Sequence, residues 1–169
     1  EKHPNQFGFS VSHTTREIRP GEAQGVHYHF VSKDEMKQLI DQNAFIEWAK
    51  YSGNYYGTSF ACVENVIATG RSCVFDIDLQ GCQQIHANQA FSGFFIFIKP
   101  PSFDELERRL IHRGDTSSQA IKQRLERARK ELLFVEENKD FFDAIIVNDD
   151  FQDAYKRFEQ IVGVTQSKL

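Results

Sequence analysis

The sequence predicts an α/β fold, a parallel sheet flanked by helices, and three observations carry that reading. Three short apolar runs, residues 73–77, 94–98 and 144–147, have the length of buried strands and are too short to stand alone as helices. Helical patterns fill the intervals between them, so strand and helix alternate as they do around a parallel sheet. The 169 residues, 40% hydrophobic and 26% charged, suffice for one domain with a sizeable core. No internal repeat, low-complexity stretch or linker divides them.

The first part of the chain reads differently from the rest. Short strand candidates near residues 9–12, 26–31 and 45–49 suggest a small mixed subdomain over about residues 10–60. Within it, Ser32 and Glu35 match a capping box, and Met36, Leu39 and Ile40 give the apolar face of a helix ending near Asn43. Thr58 or Ser59 caps a second helix that carries Val63, Val66 and Ile67 and stops at Gly70. Further on, Ser102 with Glu105 predicts a capping box before Leu106 and Leu110, and residues 119–137 form a long charged helix.

Composition excludes several roles. Lys plus Arg total 20 against 24 for Asp plus Glu, and a net charge of −4 disfavours sequence-independent wrapping of nucleic acid. Any anionic ligand must then meet a local basic site. No apolar run reaches the roughly 18 residues of a membrane span, and the polar residues 1–6 do not resemble a signal peptide, so an intracellular protein is expected. Cys62, Cys73 and Cys82 are odd in number, lack the close pairs of a zinc site, and read as buried reduced thiols.

Chemistry concentrates at a few places. Residues 10–16, followed by Arg19, Pro20, Gly21 and Glu22, set hydroxyls and the guanidiniums of Arg16 and Arg19 on a loop. That composition suits a phosphate, because the guanidinium fork donates two hydrogen bonds and hydroxyls add directional donors; a solvated arginine pair is the plain alternative. Tyr28 and Tyr56 lie in aromatic and polar stretches, where a hydroxyl reaches a phosphate while its ring packs. His27 and His29 would share one side of a strand, a spacing that suits a metal, although no cysteine or carboxylate completes a ligand set. Glu47, in an apolar stretch, either faces solvent by strand alternation or holds a ligand's amino group. Asp76 and Asp78 end an apolar run, where open α/β sheets bind ligands; a carboxylate there holds a magnesium-bound water or simply caps the strand. Six arginines, Arg108, Arg109, Arg113, Arg124, Arg127 and Arg129, make either a solvated helix face or a mobile arm reaching a transferring phosphate, with Gly114 as its hinge.

Taken in order, residues 7–16, 45–47, 55–58, the run Asp76-Ile77-Asp78-Leu79-Gln80-Gly81, and residues 100–102 and 147–150 resemble guanylate kinases over about residues 7–162. The resemblance implies a P-loop kinase-type sheet with a GMP-binding subdomain (about 10–60) and a helical lid (about 102–137) in a single domain over residues 1–169. It implies transfer of the γ-phosphoryl of ATP to GMP, giving ADP and GDP, with Mg2+ accompanying ATP. By the same resemblance Ser12, Glu47 and Asp78 contact guanine, while Arg16, Arg19, Tyr28, Tyr56 and Thr58 contact the GMP phosphate. Arg19, Arg113 and Arg124 are the implied catalytic arginines, Asn148 and Asp149 lie on the ATP side, and Asp76 is the implied magnesium-side carboxylate, acting through water. A cytoplasmic monomer with GMP and ATP as partners, and neither nucleic acid nor membrane, completes the expectation.

Two departures matter. No G-x-x-x-x-G-K-S/T motif occurs in the 169 residues, so the loop that cradles the phosphates, its lysine and the central first strand are expected to be absent from this chain. Residues 1–4 read as the end of the helix that follows such a loop, and the 169-residue segment alone is not expected to be active. The acidic lid stretch usual in the family is replaced by Asp115, Thr116, Ser117, Ser118 and Gln119. The competing class is a non-catalytic guanylate kinase-like interaction module that binds phosphopeptides. The missing loop favours it; Glu47 and Asp78, which such modules tend to lose, oppose it.

Overall fold

Residues 2–51, 53–88, 93–113 and 118–163 are described by a computed structural model. They fall into two units, Glu1–Ser92 and Gly93–Leu169, and the fold is mixed α/β with parallel strand pairs in both.

The first unit runs β1 (Phe7–Phe9), β2 (His13–Thr14), β3 (His29–Phe30), α1 (Lys33–Asp41), β4 (Phe45–Tyr51), β5 (Asn54–Ser59), α2 (Phe60–Ile67), β6 (Ser72–Val74) and α3 (Leu79–Ala87). β1 pairs with β6 in parallel. The small mixed sheet has the order β3-β2-β5-β4, with β2 parallel to β3 and antiparallel to β5. β4 and β5 form a hairpin whose turn uses Gly53 at φ +80°, a conformation open to glycine and strained for most other residues.

Several strands are shorter than their apolar runs suggest. Over residues 26–31 only His29 and Phe30 form a strand, Tyr28 making an isolated bridge to Gln24, because Gly25 N–H donates to Tyr28 O (2.8 Å) and His27 N–H to Ala23 O (3.2 Å), folding the preceding residues into turns. β6 ends at Val74, and β1 ends at Phe9. The capping signals fare better. Ser32 Oγ accepts from Glu35 N–H (3.1 Å) while the Glu35 carboxylate accepts from Ser32 N–H (2.7 Å), and α1 ends at Asp41. Ser59, not Thr58, caps α2. Met36, Phe45, Ile46, Val63 and Val66 make the core of this unit. The three cysteines stand outside any disulfide and are half-buried rather than buried, since α2, β6 and α3 each keep a solvent-facing side.

The second unit runs β7 (Ile96–Lys99), α4 (Phe103–Arg113), α5 (Ser118–Glu137), a 3-10 turn (Lys139–Phe141), β8 (Ala144–Val147) and α6 (Phe151–Ile161). β7 and β8 pair in parallel from Ile96 opposite Ala144 to Lys99 opposite Val147. Both strands were expected to be buried, yet Ile98, Ile145 and Val147 are exposed and the core is carried by Val135, Phe142 and Ile146. Ser102 Oγ accepts from Glu105 N–H (3.1 Å), but arginines of the same helix take the Glu105 carboxylate, so only half of that capping box forms. Among the described residues no helix is long and apolar enough to cross a membrane.

Candidate functional site

Strand register decides the fate of Glu47. A register shift between Phe45 and Glu47 interrupts the alternation of β4, so Ile46 and Glu47 are both buried and Trp48 turns outward. The solvent-facing alternative for Glu47 is thereby excluded: it is 5% exposed and stands opposite Thr58 on β5. Burial pushes the Glu47 carboxyl up, and Asp78 nearby adds to the shift. Hydrogen bonds from the Thr58 hydroxyl and N–H act against it. Thr58 is fully buried, with its hydroxyl 3.1 Å from Ser12 Oγ. A hydroxyl has one proton, so a Thr58 that donates to Glu47 accepts from Ser12. Asp78, placed at the head of α3, accepts from Gly81 N–H through Oδ1 (2.9 Å). The structure therefore brings Ser12, Glu47, Thr58 and Asp78 together.

Arg16 is fixed from its backbone outward. Its N–H donates to Thr14 Oγ1 (3.2 Å), and the fully buried Thr14 hydroxyl donates to Tyr55 O (3.0 Å). The guanidinium carbon lies 5.5 Å from the Tyr28 ring centroid and 5.7 Å from that of Phe30, and Tyr28 meets Tyr56 edge-on at 6.2 Å. Glu22 grips both ends of the fork at 3.0 and 2.8 Å. The Arg16 hydrogen bonds, then the Arg19 N–H (2.9 Å), hold the Glu22 carboxyl down to about 2. Burial raises the Tyr28 hydroxyl, helped by Tyr56 and Asp76, which places the exposed Asp76 within electrostatic reach of Tyr28. Arg19 is exposed beside this group.

The paired-histidine alternative fails. His27 lies outside β3 and its Nδ1 accepts from Ala23 N–H (3.0 Å), while His29 stacks on His13 with ring centroids 4.8 Å apart. Burial, then His29, lowers the His13 pKa to about 4. No group of three metal-ligating side chains occurs among the described residues.

In the second unit Arg124 is half-buried on α5, and Arg113 is the last residue of α4, its side chain outside the described residues. The hinge at Gly114 and the lid residues Asp115, Thr116 and Ser117 also lie outside them. Asn148 and Asp149 follow β8, and both of their carbonyls accept from Arg109, at 2.7 and 3.2 Å. Glu105 holds Arg109 at 2.6 Å and Arg108 at 2.7 Å, Arg127 pairs with Glu131 at 2.8 Å, and Arg129 lies 4.6 Å over the Phe103 ring. Among the described side chains, Arg108, Arg109, Arg127 and Arg129 thus have structural partners. Sequence reasoning missed Glu22 and Arg109 as organising residues. The available signals were a glutamate six residues beyond Arg16 across the Pro20-Gly21 turn, and a Glu105–Arg109 pair at helical i,i+4 spacing.

A crystal structure of guanylate kinase from Anaplasma phagocytophilum superposes with a TM-score of 0.75 at 32% identity, covering 99% of this chain and 80% of that one. The fold is the one shared by P-loop kinases. The sequence profile of guanylate kinase matches residues 1–164. Guanylate kinase of Schizosaccharomyces pombe is 47% identical over 159 residues, 94% of this chain and 78% of that protein. Guanylate kinase of Haemophilus influenzae is 49% identical over 154 residues, 90% of this chain and 72% of its own length. The chain belongs to the guanylate kinase family.

Proposed function

We propose that the chain binds GMP and serves transfer of the γ-phosphoryl of ATP to it, giving ADP and GDP. The observation that carries this reading is the buried Glu47 carboxylate, held by Thr58 and flanked by Asp78. Guanine offers N1–H and an exocyclic amine to such acceptors. Adenine offers neither donor there and would leave carboxylates unpaired, at about 1–3 kcal/mol each. Ser12, Glu47 and Asp78 read the base, and Arg16, Arg19, Tyr28 and Tyr56 take the phosphate; Thr58, expected on the phosphate, is fully buried with its one proton on Glu47 and instead supports the base-reading group. Arg19, Arg113 and Arg124 neutralise charge on the transferring group, and Asn148 and Asp149 serve the ATP side.

Asp76 suits Mg2+ on the chemistry of its donor: it is an exposed carboxylate, and this ion typically takes one or two carboxylates plus water and substrate phosphates. When bound, the ion neutralises phosphate charge. The reading has residues 1–169 acting as one guanylate kinase-like domain, with the GMP-binding subdomain at about 10–60 and the lid at about 102–137. It has the protein acting as a cytoplasmic monomer without membrane partners and, as its net charge of −4 supports, without nucleic acid.

None of the 169 residues forms a G-x-x-x-x-G-K-S/T loop, so the chain alone binds GMP without turning it over. The same lack favours the second reading, a phosphopeptide-binding module, in which Glu47 has no use. Calorimetric titration with GMP, AMP and a phosphopeptide, beside a coupled assay for GDP, tests both readings. GMP binding at least about tenfold tighter than AMP supports the proposal. Equal affinities, or binding of the phosphopeptide alone, overturn it. GDP formation by the 169-residue chain contradicts the inactivity of this segment.

A further inference from the structure

We infer that Gly81 is a specificity-positioning residue: by lacking a side chain it lets the first turn of α3 close onto Glu47 and fixes where that carboxylate stands. The inference rests on the GMP reading of Glu47. Glycine in a helix is less favourable than alanine by about 1 kcal/mol, so its presence at a buried position of α3 asks for a cause. Backbone conformation is not that cause, since Gly81 lies in ordinary helix and not in the left-handed region. Space is the cause. A Cβ at Gly81 would stand 2.8 Å from Glu47 Oε2, 3.2 Å from Glu47 Cδ and 3.3 Å from Ile77 Cβ.

Glu47 has little freedom to yield. It is 5% exposed, accepts from Thr58, and is pinned by the register of β4 on β5. The N–H of the same glycine donates to Asp78 Oδ1 at 2.9 Å, so one residue binds one of the carboxylates proposed to read the base and leaves room for the other. The positive end of the α3 peptide dipoles lies on this turn and offsets part of the cost of burying the Glu47 charge. A methyl group here therefore displaces the carboxylate from the guanine edge and from the helix end together.

Calorimetry on the full chain with GMP and AMP tests this, using wild type, Gly81→Ala, Glu47→Asp, the double variant and Glu47→Gln. Gly81→Ala is expected to weaken GMP by about tenfold or more, the scale on which small displacements of binding groups act, while AMP changes by less than about twofold. Aspartate is one methylene shorter and makes room for the added methyl, so the double variant binds GMP more tightly than the product of the single effects predicts. GMP affinity of folded Gly81→Ala within about twofold of wild type overturns the inference, as do strictly multiplicative single effects. If Gly81→Ala shows no cooperative unfolding transition, the double variant decides: recovery of folding and GMP binding supports the inference, and failure of both overturns it. A normal loss in Glu47→Gln beside an unaffected Gly81→Ala sinks only this inference. An unaffected Glu47→Gln sinks the GMP reading beneath it.

Discussion

Replacing Thr58 by valine keeps the shape of a fully buried side chain and removes its hydroxyl. Two interactions go with it, the donation to the Glu47 carboxylate and the 3.1 Å contact with Ser12 Oγ. A hydrogen bond to a charged group is worth about 1.5–3 kcal/mol and a neutral one about 1, so Thr58→Val should destabilise the protein by about 2.5–4 kcal/mol at pH 7. Because the Thr58 hydrogen bonds work to lower the Glu47 pKa, their partial loss also moves that carboxyl further up. In a Glu47→Gln background the same bond is neutral, and the hydroxyl should matter less by about 1–2 kcal/mol. Urea denaturation of the four proteins closes this cycle. A cost below about 0.5 kcal/mol for Thr58→Val, or additivity to within that amount, would refute the hydroxyl chain from Ser12 through Thr58 to Glu47.

Arg16→Ala should return the Glu22 carboxyl from about 2 toward its ordinary 4.5, read by NMR titration. The stability carried by that pair is fully present above pH 4.5 and is lost as pH falls toward 2, so the variant should lack this acid dependence. His13 has the opposite chemistry and the same direction: with its pKa lowered from 6.5 to about 4, the unfolded chain takes up the proton first. Stability should hold above pH 6.5 and fall between 6.5 and 4, and His13→Asn should flatten that part of the profile in denaturation at stepped pH. Arg109→Met strands the Asn148 and Asp149 carbonyls and should lower the urea midpoint, at a cost of about 1–2 kcal/mol.

What the sequence made legible was mostly local. The Ser32–Glu35 box needs only neighbouring residues and forms in full, whereas the Glu105 carboxylate of its counterpart had two arginines within helical reach as competitors. Strand pattern failed over residues 26–31 because the turns around Gly25 outcompete extension there. Glu47 stayed ambiguous in sequence, since alternation puts it outside and only a register shift brings it in. The His13–His29 stack depends on the parallel pairing of β2 with β3, which no local pattern announces. Likewise Gly81 looks like an ordinary small residue until α3 and β4 are placed side by side.

Whether Glu47 reads a guanine edge is measured most directly by calorimetric titration of wild type and Glu47→Gln with GMP and with a phosphopeptide. The amide cannot accept from both guanine donors, and its own NH2 faces one of them, so GMP affinity should fall by about 1.5–3 kcal/mol, roughly ten- to a hundredfold. Phosphate recognition by Arg16, Tyr28 and Tyr56 should be unchanged. Equal GMP affinity in the two proteins, with tight phosphopeptide binding in both, would contradict the account.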